Sequence, residues 1–291
     1  MKYLKFIFVL SLLFSLSCSE SNDDNQQLNP SETNLVIKLK FDPNQVRLGN
    51  LGQPVNVAPG NAAQSPSINR MSVNYIEFAP TSTTALGTGE IIYEGSETSA
   101  GGAQAIDFQN SIFAGNDDIF LTIPLSQVSA GTYEWVRVSL AYQEGDIELL
   151  VNGQDITGTL ASFVGYNSYI TSFDLNGNTI DVNGNRLQGF WAFEALGFTT
   201  QGQAPAGATT VPNPLFNTSP IPQGSCVVTG EFENVLTISG NETEDIVVTL
   251  SFSINNSFEW TEVNNDGKYE PAAGEQVVDM GLRGLIPMVS N

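Results

Sequence analysis

Alternation with a period of two recurs along most of this chain, and it limits the fold more than any other feature. In "LVIKLKF", residues 35–41, Leu35, Ile37, Leu39 and Phe41 fall on one face while Lys38 and Lys40 fall on the other. In "DIVVTLSFSI", residues 245–254, Ile246, Val248, Leu250, Phe252 and Ile254 alternate in the same way. Successive strand side chains point to opposite faces, so such segments read as strands with one buried face. Further strand candidates cover residues 71–78, 119–123, 133–142, 147–151, 187–198 and 235–238, separated by Gly, Asn, Pro and Ser clusters. No long stretch carries a helical period. The expected fold is all-β, an antiparallel β-sandwich forming one large domain over 34–291.

Turn chemistry refines this reading. "DLNGNTIDVNGNRL", residues 174–187, holds two Asn-Gly steps, Asn176-Gly177 and Asn183-Gly184. Asn-Gly is the favoured type I′ corner, so the segment predicts a three-strand meander through Phe173, Ile180 and Phe190; a cation site on Asp174 and Asp181 is the alternative. Over 201–225 the chain turns Pro-, Gly- and Ala-rich, with Pro205, Pro212, Pro214, Pro220 and Pro222. That reads as a long surface loop or as an interdomain linker. Residues 226–291 are few for an independent core, and they are expected to complete the same pair of sheets.

The sequence contains no histidine. Its absence removes the commonest general base and transition-metal ligand, and with it Ser-His-Asp and Cys-His catalysis and His-bearing zinc or copper sites. Acidic residues outnumber basic ones 31 to 10, for a net charge of −21. Loss of Lys2 and Lys5 with the leader described next makes the exported chain two charges more negative. Such a chain repels nucleic acid and anionic lipid, so nucleic acid is not an expected partner, whereas cations are.

The N-terminus, "MKYLKFIFVLSLLFSLSC", has a short basic region, an apolar run from Phe6 to Phe14 and small residues before Cys18. An apolar run of about ten residues is roughly half the length of a spanning helix, so residues 1–17 read as a signal peptide. The segment resembles a bacterial lipoprotein signal, which implies that Cys18 becomes the lipid-modified first residue. It departs from the usual pattern in that the leucine, Leu16, stands two places before the cysteine instead of three. Residues 18–33 are polar and aperiodic and read as a disordered tether. Glu20, Asp23 and Asp24 resemble the acidic export signal of Bacteroidota-type outer-membrane lipoproteins, which implies lipid anchorage in the outer membrane with the domain on the cell surface; solubilising charge is the other reading. Cys18, once lipidated, leaves Cys226 no second cysteine for a disulfide, and Cys226 reads as a small buried residue.

The order of an apolar first strand, the Tyr-bearing "SVNYIEF" and a "G-x-Y" approach to a later strand resembles the methanobactin-associated copper-protein-like lipoproteins. The resemblance covers residues 35 to about 140 and rests on Tyr75, Gly131, Tyr133 and Val138. It implies a shared β-sandwich; the family's copper chemistry uses histidine, which this chain lacks.

Three groups of residues are candidates for function. "WTEVNNDGKYEPAAGE", residues 260–275, can be counted as an EF-hand-like calcium loop with Glu262, Asn264, Asp266, the Lys268 carbonyl and Glu270 at places one, three, five, seven and nine. Place twelve is Ala273, and Glu275 arrives two residues late. The rival reading uses Asp266-Gly267 as a type I′ corner joining "FEWTEV" to "KYE". Trp135, Phe190, Trp191, Phe193 and Trp260 form either a glycan-stacking face or a sandwich interior. Glu134, Glu144 and Glu194 sit beside aromatics and are the candidates for carboxylate catalysis on a glycan, which needs two carboxyl groups about 5–10 Å apart. The expected function is a lipid-anchored, surface-exposed, non-catalytic binding or assembly module, calcium-stabilised, with a glycan or an outer-membrane protein as partner; the alternative is a carboxylate-dependent glycan-active enzyme.

Overall fold

The computed structural model describes residues 32–204, 219–280, 282 and 284–290. The signal segment, Cys18 and the acidic tether through residue 31 lie outside them, as does most of the Pro-rich stretch, residues 205–218. The fold is all-β: strands hold 58% of the described residues, and the helical segments among them are 3-10 turns such as Phe108–Asn110, Leu125–Gln127 and Pro271–Ala273.

The organising element is β8, Gly131–Val151. Its amino-terminal half lies between β3 (Ser67–Ala79) and β14 (Cys226–Ile238); its carboxy-terminal half lies between β3 and β9 (Gln154–Phe163). The sheet extends from β9 through β12 (Phe190–Ala195) to β13 (Phe198–Gln203), and from β3 to β4 (Glu90–Glu94). The alternation gives two strand candidates, 133–142 and 147–151, where β8 is one, because the polar residues 143–146 interrupt the apolar pattern. Gly145 is instead a close approach: a Cβ there would stand 2.7 Å from the Ser67 carbonyl oxygen, so glycine lets β3 pass and the strand continues.

Period two then distributes β8 among several cores. Val136, Val138 and Leu140 face a four-stranded sheet ordered β18-β15-β1-β7, made of Leu285–Ser290, Ile246–Ser253, Asn34–Asp42 and Ile119–Pro124. Leu35, Ile37, Leu39, Val248, Leu250 and Phe252 fill the space between, all fully buried. Burial of each such side chain contributes roughly 1.5–3 kcal/mol. The β1–β15 pairing is parallel, a departure from a purely antiparallel sandwich. Cys226 lies in this same core.

Tyr142, on the same face of β8, joins Phe163, Phe173, Ile180 and Phe190 under a second sheet. That sheet is ordered β11-β10-β6-β5, from Asn178–Leu187, Asn167–Leu175, Ala105–Asp107 and Glu97–Thr98. On the opposite face, Ile147 and Leu149 pack with Phe258 and Trp260 of a three-stranded sheet ordered β17-β16-β2, from Val277–Met280, Phe258–Thr261 and Asn61–Gln64. Residues 226–290 thus contribute β14 to the large sheet and β15 and β18 to the facing one, and Thr33–Asn291 forms one compact unit.

The expected meander is corrected. Asn176-Gly177 is a corner, with φ of 51° and 79°, and joins β10 to β11. Asn183-Gly184 lies inside β11, with Asn183 at φ 48°, where the register against β10 shifts between Ile170 and Ser172. It is therefore a bulge. Phe190 pairs with Phe163 of β9 in the large sheet, not with β11. The expected strand over 187–198 is also broken, at Gln188-Gly189 and at Leu196-Gly197.

Candidate functional site

The loop 262–276 connects β16 to β17, whose register pairs Glu259 with Asp279 and Phe258 with Met280. "KYE" forms no return strand, so the Asp266-Gly267 hairpin is corrected: Pro271 starts a 3-10 turn, and the return is made by Val277–Met280. The structure brings Glu262, Asn264, Glu270 and Glu275 together. Glu262 accepts the amides of Asn264, Asn265 and Gly267 at 3.0, 2.8 and 3.2 Å. Glu275 accepts those of Val263 and Glu270 at 3.1 and 2.6 Å, and Asn264 Nδ2 donates to Glu270 at 2.7 Å. Burial pushes the Glu262 carboxyl up, but its hydrogen bond with Glu275 and the loop amides outweigh that and hold it below the usual carboxylate value. Asp266 accepts the Lys268 amide, and the Lys268 ammonium pairs with Asp155 at 2.7 Å. Among the described residues no group of three or more Cys, Asp or Glu side chains is arranged to hold a metal ion.

The aromatic candidates are distributed between cores. Trp260 and Phe190 are buried, Tyr269 packs on Phe258 and Trp260 with ring centres 5.2 and 5.6 Å apart, and Trp191 and Phe193 lie partly buried against the same cluster. The carboxylate candidates differ in their surroundings. Glu134 is exposed. Glu144 accepts Arg70 Nε and Nη2 at 3.0 and 2.7 Å and the Tyr142 hydroxyl at 2.6 Å. Glu194 accepts Asn176 Nδ2 at 2.6 Å and the Gly197 amide at 2.7 Å, tying the two hairpin corners to each other.

Two cavities contain none of these three acids. One, of about 300 Å³, is lined by Tyr75, Glu94 and Glu97 opposite Pro220, Ile221 and Pro222. The other, of about 350 Å³, lies among Asn234, Leu236, Thr237, Ile246 and Val289. Sequence reasoning singled out neither Glu94 nor Glu97, which carry no spacing signal of their own.

The most distinctive surface is the β12–β13 hairpin. Its corner is Leu196-Gly197, with Leu196 at φ 55°, a left-handed conformation that costs a residue other than glycine roughly 1–2 kcal/mol. Leu196 is 68% exposed and Phe198 is 81% exposed, the two highest values among the large exposed hydrophobics, with Leu187 next at 67%. β13, "FTTQGQ", pairs with β12 and with no other described strand, and no residue in it is buried.

Natural edges carry charge, proline, bulges or side-chain cover against unwanted pairing. Here β4, β5, β11, β14 and β17 hold acidic side chains, and β7 and β18 hold prolines. β2 is bridged to Glu148 of β8 by both ends of the Gln64 amide. Among the described residues, β13 has none of these. Sequence alternation missed it because leucine is not a turn former, so the expected strand over 187–198 runs through the corner. Comparison with known families, characterised proteins and solved structures finds no match to this chain.

Proposed function

We propose that the protein is a lipid-anchored, non-catalytic binding or assembly module on the outer face of the outer membrane, and that its working surface is the β12–β13 hairpin and its open edge. The observation that carries this reading is the unguarded edge of β13 beside Leu196 and Phe198. In a chain of net charge −21, it offers unpaired backbone and apolar side chains where solubility alone favours neither. Calcium held by the 262–275 loop belongs to the same reading, since an ion there offsets the repulsion among Glu262, Glu270 and Glu275. The deciding experiment places a photoreactive amino acid at position 199 in living cells. Cross-linking to a protein supports the reading; a surface-displayed protein that cross-links to nothing overturns it. In the same cells, Cys18→Ala is expected to release the protein from the membrane fraction.

A second reading, a carboxylate-dependent enzyme acting on a glycan, draws on Glu94 and Glu97 in the cavity beside Tyr75. It requires glycan hydrolysis that Glu94→Gln and Glu97→Gln each remove.

A further inference from the structure

Resting on that reading of the β13 edge, we infer that the strand's partner is a second copy of this chain, paired antiparallel through β13 about a two-fold axis at Gln201.

The hairpin fixes which backbone groups are open. In a two-residue hairpin the pair flanking the corner, Ala195 and Phe198, exchanges hydrogen bonds, and so do alternate pairs beyond it, Phe193 with Thr200 and Trp191 with Gly202. Phe198, Thr200 and Gly202 therefore turn their N–H and C=O groups toward β12. Thr199, Gln201 and Gln203 turn theirs to the open edge.

An antiparallel partner strand must set its own outward residues against these. With β13 as its own partner, the register that matches outward to outward with greatest overlap pairs Gln201 with Gln201, and Thr199 with Gln203 on both sides of the axis. That forms three mutually bonded pairs and joins the two large sheets into one.

Charge and apolar surface favour the same partner. β13 contains no ionised side chain, so two strongly acidic chains meet here without facing carboxylates, and the Glu194 carboxylate is held inside by Asn176 and Gly197. The exposed hydrophobics stand at opposite ends of the strand. Leu196 and Phe198 mark one end; Leu187 marks the other, where the Ala204 amide donates to Gly189. Phe198, cross-strand from Ala195, points to the face turned away from β11, so a two-fold axis at Gln201 sets it beside Ala204 of the other copy in a non-hydrogen-bonded pair, where the side chains stand closest. The remaining surface repels, which makes the association salt-dependent: ionic strength screens the exposed acids without weakening backbone hydrogen bonds.

The test uses residues 18–291 with Cys18→Ser. Sedimentation equilibrium is expected to show a monomer–dimer equilibrium that tightens several-fold between about 0.05 and 0.5 M NaCl, the range over which the Debye length falls below about 10 Å. Gln201→Pro removes an outward N–H that the fold does not use, and Gln201→Lys sets two like charges on the axis. Each is expected to weaken the dimer at least tenfold while the near-ultraviolet circular dichroism of the monomer is unchanged.

Register is read by disulfide trapping. Gln201→Cys alone is expected to give a covalent dimer, Thr199→Cys alone none, and Thr199→Cys combined with Gln203→Cys a dimer again, with the parent protein, whose Cys226 is buried, as control. A protein that stays monomeric at every salt concentration, or a Thr199→Cys variant that traps as readily as Gln201→Cys, overturns the inference. The cellular cross-link from position 199 separates that failure from failure of the functional reading: a product with a different protein discards the second copy and keeps the binding module, and no product discards both.

Discussion

Glu77 and Arg137 face each other across β3 and β8, both sealed from solvent, with the nearest charged atoms 3.7 Å apart. They are unequally satisfied. Glu77 accepts the Tyr75 hydroxyl at 3.0 Å and the amides of Gly87 and Gly89 at 2.8 and 2.7 Å, and so holds the 80–89 loop over the sheet. Arg137 Nε and Nη1 have no hydrogen-bond partner among the described residues. Burial pulls the Arg137 pKa down against the attraction of Glu77 and Tyr75.

The two halves of this pair are predicted to differ in cost. Glu77→Gln leaves a buried guanidinium that cannot shed its proton, and a loss of about 3–5 kcal/mol is expected. Arg137→Met leaves a carboxylate that keeps its three donors and can protonate, so its loss is smaller. Urea unfolding of both variants measures the order, and Arg137→Met proving the costlier change defeats the assignment.

Acid stability is predicted to depend on Arg47. Burial raises the Glu259 pKa, but hydrogen bonds from Asn61, the Ala58 amide and Arg47 outweigh it and hold the group below the usual carboxylate value. A depressed carboxylate contributes stability above its unfolded pKa, and the contribution disappears as pH falls through the folded value. Arg47→Met leaves Glu259 and its cross-strand neighbour Asp279 without this cation. The variant is expected to lose about 3–5 kcal/mol near pH 7, with the gap closing as pH falls through the depressed Glu259 pKa. A gap independent of pH contradicts the linkage.

Leu196→Asn is predicted to stabilise the monomer. Asparagine tolerates the left-handed conformation at φ 55° and restores the Asn-Gly corner preferred in two-residue hairpins. A gain of about 1 kcal/mol, or roughly 2–4 °C in Tm for a domain of this size, is expected by scanning calorimetry. A lower Tm shows that the exposed leucine packs on something the hairpin needs.

Calcium is predicted to raise Tm if the 262–275 loop holds it, by an amount equivalent to about 2.7 kcal/mol when the ion is present at about a hundred times its Kd. Asp266→Ala removes a carboxylate whose hydrogen bond in the loop is to the Lys268 amide, so the calcium response should vanish while the apo protein stays folded. Melting curves indifferent to calcium return Glu262 and Glu275 to the single task of capping loop amides.

What this chain's sequence determined by itself is what period and composition encode. Leu35, Ile37 and Leu39 alternate because one face of β1 is buried, and that is visible without coordinates; so are the all-β class and the exclusion of histidine chemistry. Asn176-Gly177 was legible as a corner because the turn type demands those residues. Tertiary structure alone decided the rest. Asn183-Gly184 carries the same dipeptide and became a bulge, because β11 must stay paired with β10 past that point. Gly145 lies in the polar gap between the strand candidates 133–142 and 147–151 and became a crossing, because β3 approaches it too closely for a side chain. Leu196-Gly197 carried no turn signal and became the corner that exposes Phe198, because the strands on either side of it pair with each other. Which carboxylates cap amides and which strand edge stays open depend on contacts between residues far apart in the chain, and local pattern does not encode them.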